Sequence, residues 1–143
     1  MIFRARLQLL NQLEPVNTDQ NGTTFQLSDL EDNNAGQFRL YYDITQLNTE
    51  ASNSNVPNTT SVYFEHSIDG TTWINLCDPK VLSANGTERA LVEIPVLLPH
   101  VRTRCIAGGS AKPNHKCVVY LVSNQAFRCW DASDVHGKAR TIG

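Results

Sequence analysis

Apolar and polar residues alternate with a period of two along most of the chain, and no window keeps the period of a helix. In the clearest case, Phe38, Leu40, Tyr42 and Ile44 alternate with more polar neighbours. A strand with one face in a core and the other face outward has this pattern. Eight or nine short strands are predicted on this basis, at 3–9, 25–27, 37–44, 62–68, 72–77, 89–94, 100–107, 116–123 and 125–130.

A tight turn is predicted within residues 65–73, between two of these strands. Asp-Gly between apolar runs is a hairpin signal, because Gly accepts a positive φ and an Asp side chain hydrogen-bonds its own backbone. The segment resembles the S-x-D-G-x-x-W hairpin of discoidin-like and other β-sandwich modules, and the sialidase Asp-box with a different Asp–Gly spacing. That resemblance implies a structural turn whose Trp packs on the core. Ser67, Asp69, Gly70 and Trp73 are therefore interpreted as turn residues with no catalytic role.

The number and spacing of the strands predict an all-β fold, namely an antiparallel β-sandwich of jelly-roll type. The chain length fits a single domain, which we place at 1–130. Residues 131–143 have too few apolar side chains to fold alone and are predicted to form a C-terminal arm or tail. Polar stretches at 11–23, 46–60 and 107–116 are predicted to be long loops.

Charge and hydropathy indicate which classes of binding partner are not expected. The 143-residue chain has 12 Lys and Arg against 14 Asp and Glu and no basic stripe, so direct nucleic-acid binding is not expected. No apolar run approaches the roughly 18 residues of a membrane span, and the first residues contain no hydrophobic signal core. Neither a membrane partner nor secretion is expected, and synthesis is expected in the cytoplasm.

The four cysteines are too far apart for a CxxC motif. Cys77, Cys105, Cys117 and Cys129 permit two disulfides, but at this length and without a signal segment free thiols are predicted. Cys105 and Cys117 fall on strands predicted to be neighbours, so these two thiols are expected to lie closest together.

Candidate catalytic and metal sites are weak in this sequence. Glu65 and Asp69 are the nearest approach to an acid/base pair, but Glu65 is predicted to point away from the core row and Asp69 to be engaged in the turn. The acidic residues between 29 and 32 supply oxygen ligands, although their spacing matches no calcium loop. His115 and Cys117 share a strand face, but zinc would need two further ligands. No enzyme activity, metal or cofactor is predicted.

Arginine and tyrosine side chains are predicted at outward-facing strand positions. Arg is enriched at protein interfaces because its planar fork pairs with carboxylates and stacks on aromatic rings. Outward aromatic rings also stack on sugars, so a carbohydrate-binding module is an alternative. The candidate interface residues are Arg4, Arg6, Arg39, Tyr41, Tyr63, Arg102, Arg104 and Tyr120.

The segments 38–44 and 61–73, in an Asn- and Thr-rich β-sandwich without a catalytic constellation, resemble small structural proteins of tailed-bacteriophage virions. The resemblance is to jelly-roll decoration (cement) proteins of the capsid and covers about residues 37–130. It implies a homo-oligomer, dimer or trimer, that binds the major capsid protein on the outside of the virion and stabilises the shell. A head–tail or tail component is a second alternative, because it meets the same physical demands.

Overall fold

The computed structural model describes residues 3–28, 36–47, 58–109, 113–131 and 139–143, and all regular structure in them is β. No helix long and apolar enough to cross a bilayer is present in these residues. The twelve strands are β1 (Ala5–Val16), β2 (Gln20–Asn21), β3 (Phe25–Ser28), β4 (Phe38–Leu47), β5 (Thr59–Ser67), β6 (Ile74–Asn75), β7 (Lys80–Leu82), β8 (Gly86–Glu93), β9 (His100–Gly108), β10 (Asn114–Ser123), β11 (Phe127–Asp131) and β12 (Arg140–Ile142).

The strands form two antiparallel sheets, which confirms the predicted β-sandwich. Sheet A has the order β1-β10-β4-β8. Sheet B has the order β12-β11-β3-β9-β5-β6, with β2 paired to β9 and β7 paired to β5. Four of the twelve strands have only two or three residues. One of these, β6, lies in the predicted segment 72–77, and the eight longer strands correspond to the other eight predicted segments.

The pairing of early strands with late strands gives the jelly-roll connectivity. Counting inward from the chain ends, β1 pairs with β10, β3 with β9, β4 with β8, and β5 with β6 and β7. These pairs form one long antiparallel hairpin of strands that is folded over on itself. As a result, successive strand pairs along the hairpin lie in opposite sheets. Strands β11 and β12 extend sheet B beyond β3.

The core lies between the sheets and is filled by the inward rows of the alternating strands. Leu40 and Ile44 from sheet A and Val62 from sheet B have no measurable exposure, as their alternation predicts. Tyr42 stacks on Phe64 with ring centroids 5.6 Å apart. Ile68 is an exception: it was predicted to continue the inward row of β5, but the strand ends at Ser67 and the side chain is 73% exposed.

The end of the chain adds a strand to the domain. Within the predicted arm, Arg140–Ile142 form β12, which pairs with β11 so that Ile142 lies opposite Phe127. Residues 132–138 of the predicted arm lie outside the described residues. The acidic stretch Asp29, Glu31 and Asp32, most of the predicted loop 46–60, and residues 110–112 of the predicted loop 107–116 also lie outside them.

Candidate functional site

Sheet B holds a buried carboxylate between two arginines. Glu65 lies on β5, directly opposite Arg102 of β9. Arg102 Nε donates a hydrogen bond to Glu65 Oε1 at 2.9 Å. Arg104 donates from Nε to Oε1 at 2.7 Å and from Nη2 to Oε2 at 3.3 Å. The Glu65 side chain is only 8% exposed, and both of its oxygens are engaged.

Each of these arginines also lies over an aromatic ring. The guanidinium carbon of Arg102 is 4.1 Å from the ring centroid of Trp73, and that of Arg104 is 5.0 Å from the centroid of Tyr63. Both distances fit a cation–π contact. The structure corrects the expectation for Trp73, because the half-buried ring packs on Arg102 and is not part of the hydrophobic core. Tyr63, Glu65, Trp73, Arg102 and Arg104 are called the Glu65 cluster below.

The Glu65 cluster carries an excess of positive charge. Burial alone would raise the pKa of Glu65, but hydrogen bonds and charge from Arg104 and Arg102 outweigh it and hold the pKa below its usual value. The ionised carboxylate therefore faces two guanidinium groups. Within the described part of the chain, Arg102 donates hydrogen bonds only through Nε, so its two terminal NH₂ groups remain available to another acceptor.

The predicted turn lies beside this cluster. Asp69 Oδ1 accepts hydrogen bonds from the hydroxyl of Ser67 and from the backbone N–H groups of Thr71 and Thr72, all within 3.0 Å. The two backbone bonds do most to hold the pKa of Asp69 far below its ordinary value. Ser67 Oγ in turn accepts a hydrogen bond from the backbone N–H of Gly70. Asp69 is thus engaged in the turn and is not aimed at Glu65.

The predicted interface residues fall on both sheets. On sheet A, the guanidinium of Arg6 lies 5.7 Å from the Tyr120 ring centroid, and the Tyr120 ring lies 6.3 Å from that of Tyr41 at a tilt of 40°. Tyr120 also accepts a hydrogen bond from Gln8 Nε2 at 3.1 Å. Arg39 pairs with Glu93 on the same sheet, and Arg4 is exposed just before β1. The residues on sheet B are Tyr63, Arg102 and Arg104.

The four cysteines are thiols, as predicted. Cys105 and Cys117 do lie close together, with a hydrogen bond between their thiols, but they belong to facing sheets and not to neighbouring strands. That hydrogen bond and burial both raise the pKa of Cys117. Another buried polar contact joins the two sheets, in which Thr60 Oγ1 donates a hydrogen bond to Gln46 Oε1 at 2.8 Å.

Two open clefts on the surface lack a catalytic constellation. One, of about 310 Å³, lies between β1 and the segment 20–23 and has no titratable side chain in its lining. The other, of about 320 Å³, is lined by residues 81–88 and contains one carboxylate, Glu88. Among the residues that the structure describes, no three His, Cys, Asp or Glu side chains are grouped so that they could hold a metal ion.

The fold and the site define a class of protein: a jelly-roll β-sandwich with an arginine–aromatic cluster on one sheet. No protein-family model matches the sequence, and no curated protein is significantly similar to it.

Proposed function

We propose that the protein is a structural component of a virion that binds the outside of a bacteriophage capsid and stabilises it. The Glu65 cluster is the observation that carries this proposal. Arg, Trp and Tyr are the residue types that contribute most binding energy at protein interfaces. Here two arginines are held in place by one carboxylate, each against an aromatic ring.

The cluster suits an acidic group on a protein partner. Its net positive charge and the free NH₂ groups of Arg102 complement a carboxylate, which Arg binds through two parallel hydrogen bonds. Because Glu65 and Trp73 already fix the guanidinium, little conformational freedom is lost on binding. We therefore assign the major capsid protein's contact to this region, with an acidic side chain opposite Arg102.

The carbohydrate-binding alternative has less support in the geometry. Stacking on sugars needs open aromatic faces, but Trp73 and Tyr63 each carry a guanidinium over the ring. Tyr41 and Tyr120 are tilted by 40° and do not form a flat platform. We expect no glycan in a screening panel to raise the melting temperature, and a glycan that does so through Tyr63 would favour this alternative.

Cosedimentation with purified capsid shells tests the proposal. We expect the purified protein to travel with the shells in a gradient, and Arg102→Ala to weaken binding by roughly 30-fold, the effect of losing about 2 kcal/mol at an interface hot spot. Arg104 still engages both oxygens of Glu65 in this variant, so the fold should persist.

Arg6→Ala is the matched control, because Arg6 lies over the ring of Tyr120 on sheet A as Arg102 lies over the ring of Trp73 on sheet B. This variant should bind shells like the original protein. Failure of the original protein to sediment with shells would reject the proposed function. Equal losses for both variants would move the contact away from the Glu65 cluster.

A further inference from the structure

Strand β8 is an edge of sheet A. It pairs with β4 over eight successive residues, from Gly86 to Glu93, without a bulge. On its other side no strand of the described residues pairs with it. Regular exposed edges invite pairing with another strand, and proteins usually blunt them with charged side chains, proline, bulges or short length. β8 contains neither proline nor bulge and is eight residues long.

The exposed row of β8 contains an apolar side chain between two opposite charges. Leu91 is 52% exposed, with Arg89 on one side of it and Glu93 on the other. The side chain of Arg89 is 64% exposed and that of Glu93 is 80% exposed. The alternate row consists of Glu88, Ala90 and Val92, which are half-buried.

This order of residues is complementary to itself. If two copies of β8 pair in antiparallel orientation about a two-fold axis at Leu91, Arg89 of each copy lies opposite Glu93 of the other. Ala90 then lies opposite Val92. The two copies of Leu91 meet on the axis and cover each other's exposed surface.

Other registers lack this match. In an antiparallel pair, directly opposed side chains point to the same face of the sheet. The two-fold axis between the copies must therefore lie level with a residue, so that each copy of that residue is opposite the other. An axis at Arg89 brings two like charges together. Axes at Ala90 or Val92 place Leu91 opposite a charged side chain, Arg89 or Glu93 respectively.

Neighbouring strands extend the match beyond β8. Asp43 of β4 lies opposite Arg89 and bonds to it at 2.8 Å, and Arg39 lies opposite Glu93 and bonds to it at 3.3 Å. In the paired sheet, a row of alternating charge therefore runs from one copy into the other on each side of the axis: Asp43, Arg89, then Glu93 and Arg39 of the second copy. Such a row stabilises this register against the others.

We propose that two copies of this chain associate through β8, centred on Leu91, and continue sheet A from one copy into the other. This pairing is independent of what the Glu65 cluster binds, since that cluster lies on sheet B. The two proposals therefore fail separately.

Sedimentation velocity of the purified protein over a range of concentrations tests the pairing. We expect a dimer, and Leu91→Lys should raise its dissociation constant at least about 100-fold by placing two like charges on the axis. Leu13→Lys is the matched control, because Leu13 is 64% exposed and lies on β1, at the opposite edge of sheet A. A monomer at all concentrations, or equal effects of the two variants, would overturn the proposal.

Complementary charge variants distinguish loss of this particular pairing register from general damage to the fold. Arg89→Glu and Glu93→Arg each create two like-charge pairs across the axis, so each variant alone should be monomeric. An equimolar mixture should form a heterodimer, because the carboxylate introduced at position 89 of one copy then faces the guanidinium introduced at position 93 of the other. A mixture that remains monomeric, or single variants that dimerise normally, would refute this register.

Discussion

At the turn between β5 and β6, Gly70 combines a left-handed backbone with a crowded neighbour. Its φ is +81°, and a Cβ atom built there would lie 3.1 Å from the ring of His100. Gly36 has nearly the same φ, +78°, but among the described residues no atom lies within 4 Å of a Cβ built there. The two glycines therefore separate the cost of backbone strain from the cost of crowding.

Gly70→Ala should lower the free energy of unfolding by about 2 kcal/mol, because backbone strain and the contact with His100 both oppose the methyl group. Gly36→Ala should cost about 1 kcal/mol from backbone strain alone. Urea denaturation of the two variants measures both values. Equal losses would mean that the His100 ring moves aside without cost.

Strands β5 and β9 show how register creates a site. Glu65 reaches Arg102 and Arg104 only because β5 lies beside β9 with Glu65 opposite Arg102. Without Glu65, Arg102 and Arg104 would lie close to each other with no counter-charge between them. Removing one partner of a buried ion pair is costly because the remaining charge stays desolvated.

Glu65→Ala should lower the free energy of unfolding by about 2 kcal/mol, less than for a fully buried pair because both arginines keep partial exposure. Glu93→Ala is the control, since Glu93 also pairs with an arginine across two strands but is mostly exposed. Its effect should be near zero when it is measured on the monomer, at concentrations too low for β8 to pair. Thermal denaturation gives both values, and a control as damaging as Glu65→Ala would show that burial of Glu65 contributes little.

The same carboxylate makes stability depend on pH. Its folded pKa is below its ordinary value of 4.5, so its contribution is present above that pH and is lost as the pH falls further. Glu65→Gln should flatten the acid side of the stability curve in this range.

The sequence predicts strands well where alternation is long and poorly where strands are short. All nine predicted strands have counterparts in the structure. Strands β2, β7 and β12 were not predicted, because two or three residues are too few to show a period. The outward positions of Tyr63, Arg102 and Arg104 were also predictable. The contact between Glu65 and Arg102 was not, because it joins residues 37 positions apart and depends on which strands are neighbours.

For the whole molecule, the sandwich protects its thiols. Cys105, Cys117 and Cys129 have no measurable exposure, and β9 faces β10 across the core. The sequence placed Cys105 and Cys117 close together, yet it assigned them to neighbouring strands. Although β9 and β10 follow each other along the chain, they lie in opposite sheets, so they meet face to face and not edge to edge.

Thiol titration should therefore follow global unfolding. In the native protein at pH 8, the three buried thiols should not react with a disulfide reagent. Cys77 should react slowly, because burial and the nearby Asp78 raise its pKa to about 11. All four should react in denaturant, and Asp78→Asn should speed the reaction of Cys77. Fast reaction of a buried thiol under native conditions would reveal local opening of the sandwich.

The pairing of β1 with β10 also determines when the chain can fold. Gln8 and Tyr120 bond to each other across 112 residues, and β1 has no other partner strand in the described residues. During synthesis, β1 leaves the ribosome long before β10 and must wait until residue 123 has emerged. Long-range pairing of this kind places folding in the range of milliseconds to seconds. Until β10 pairs with it, the apolar row of β1 is exposed, so this strand is open to aggregation for longer than strands with nearer partners.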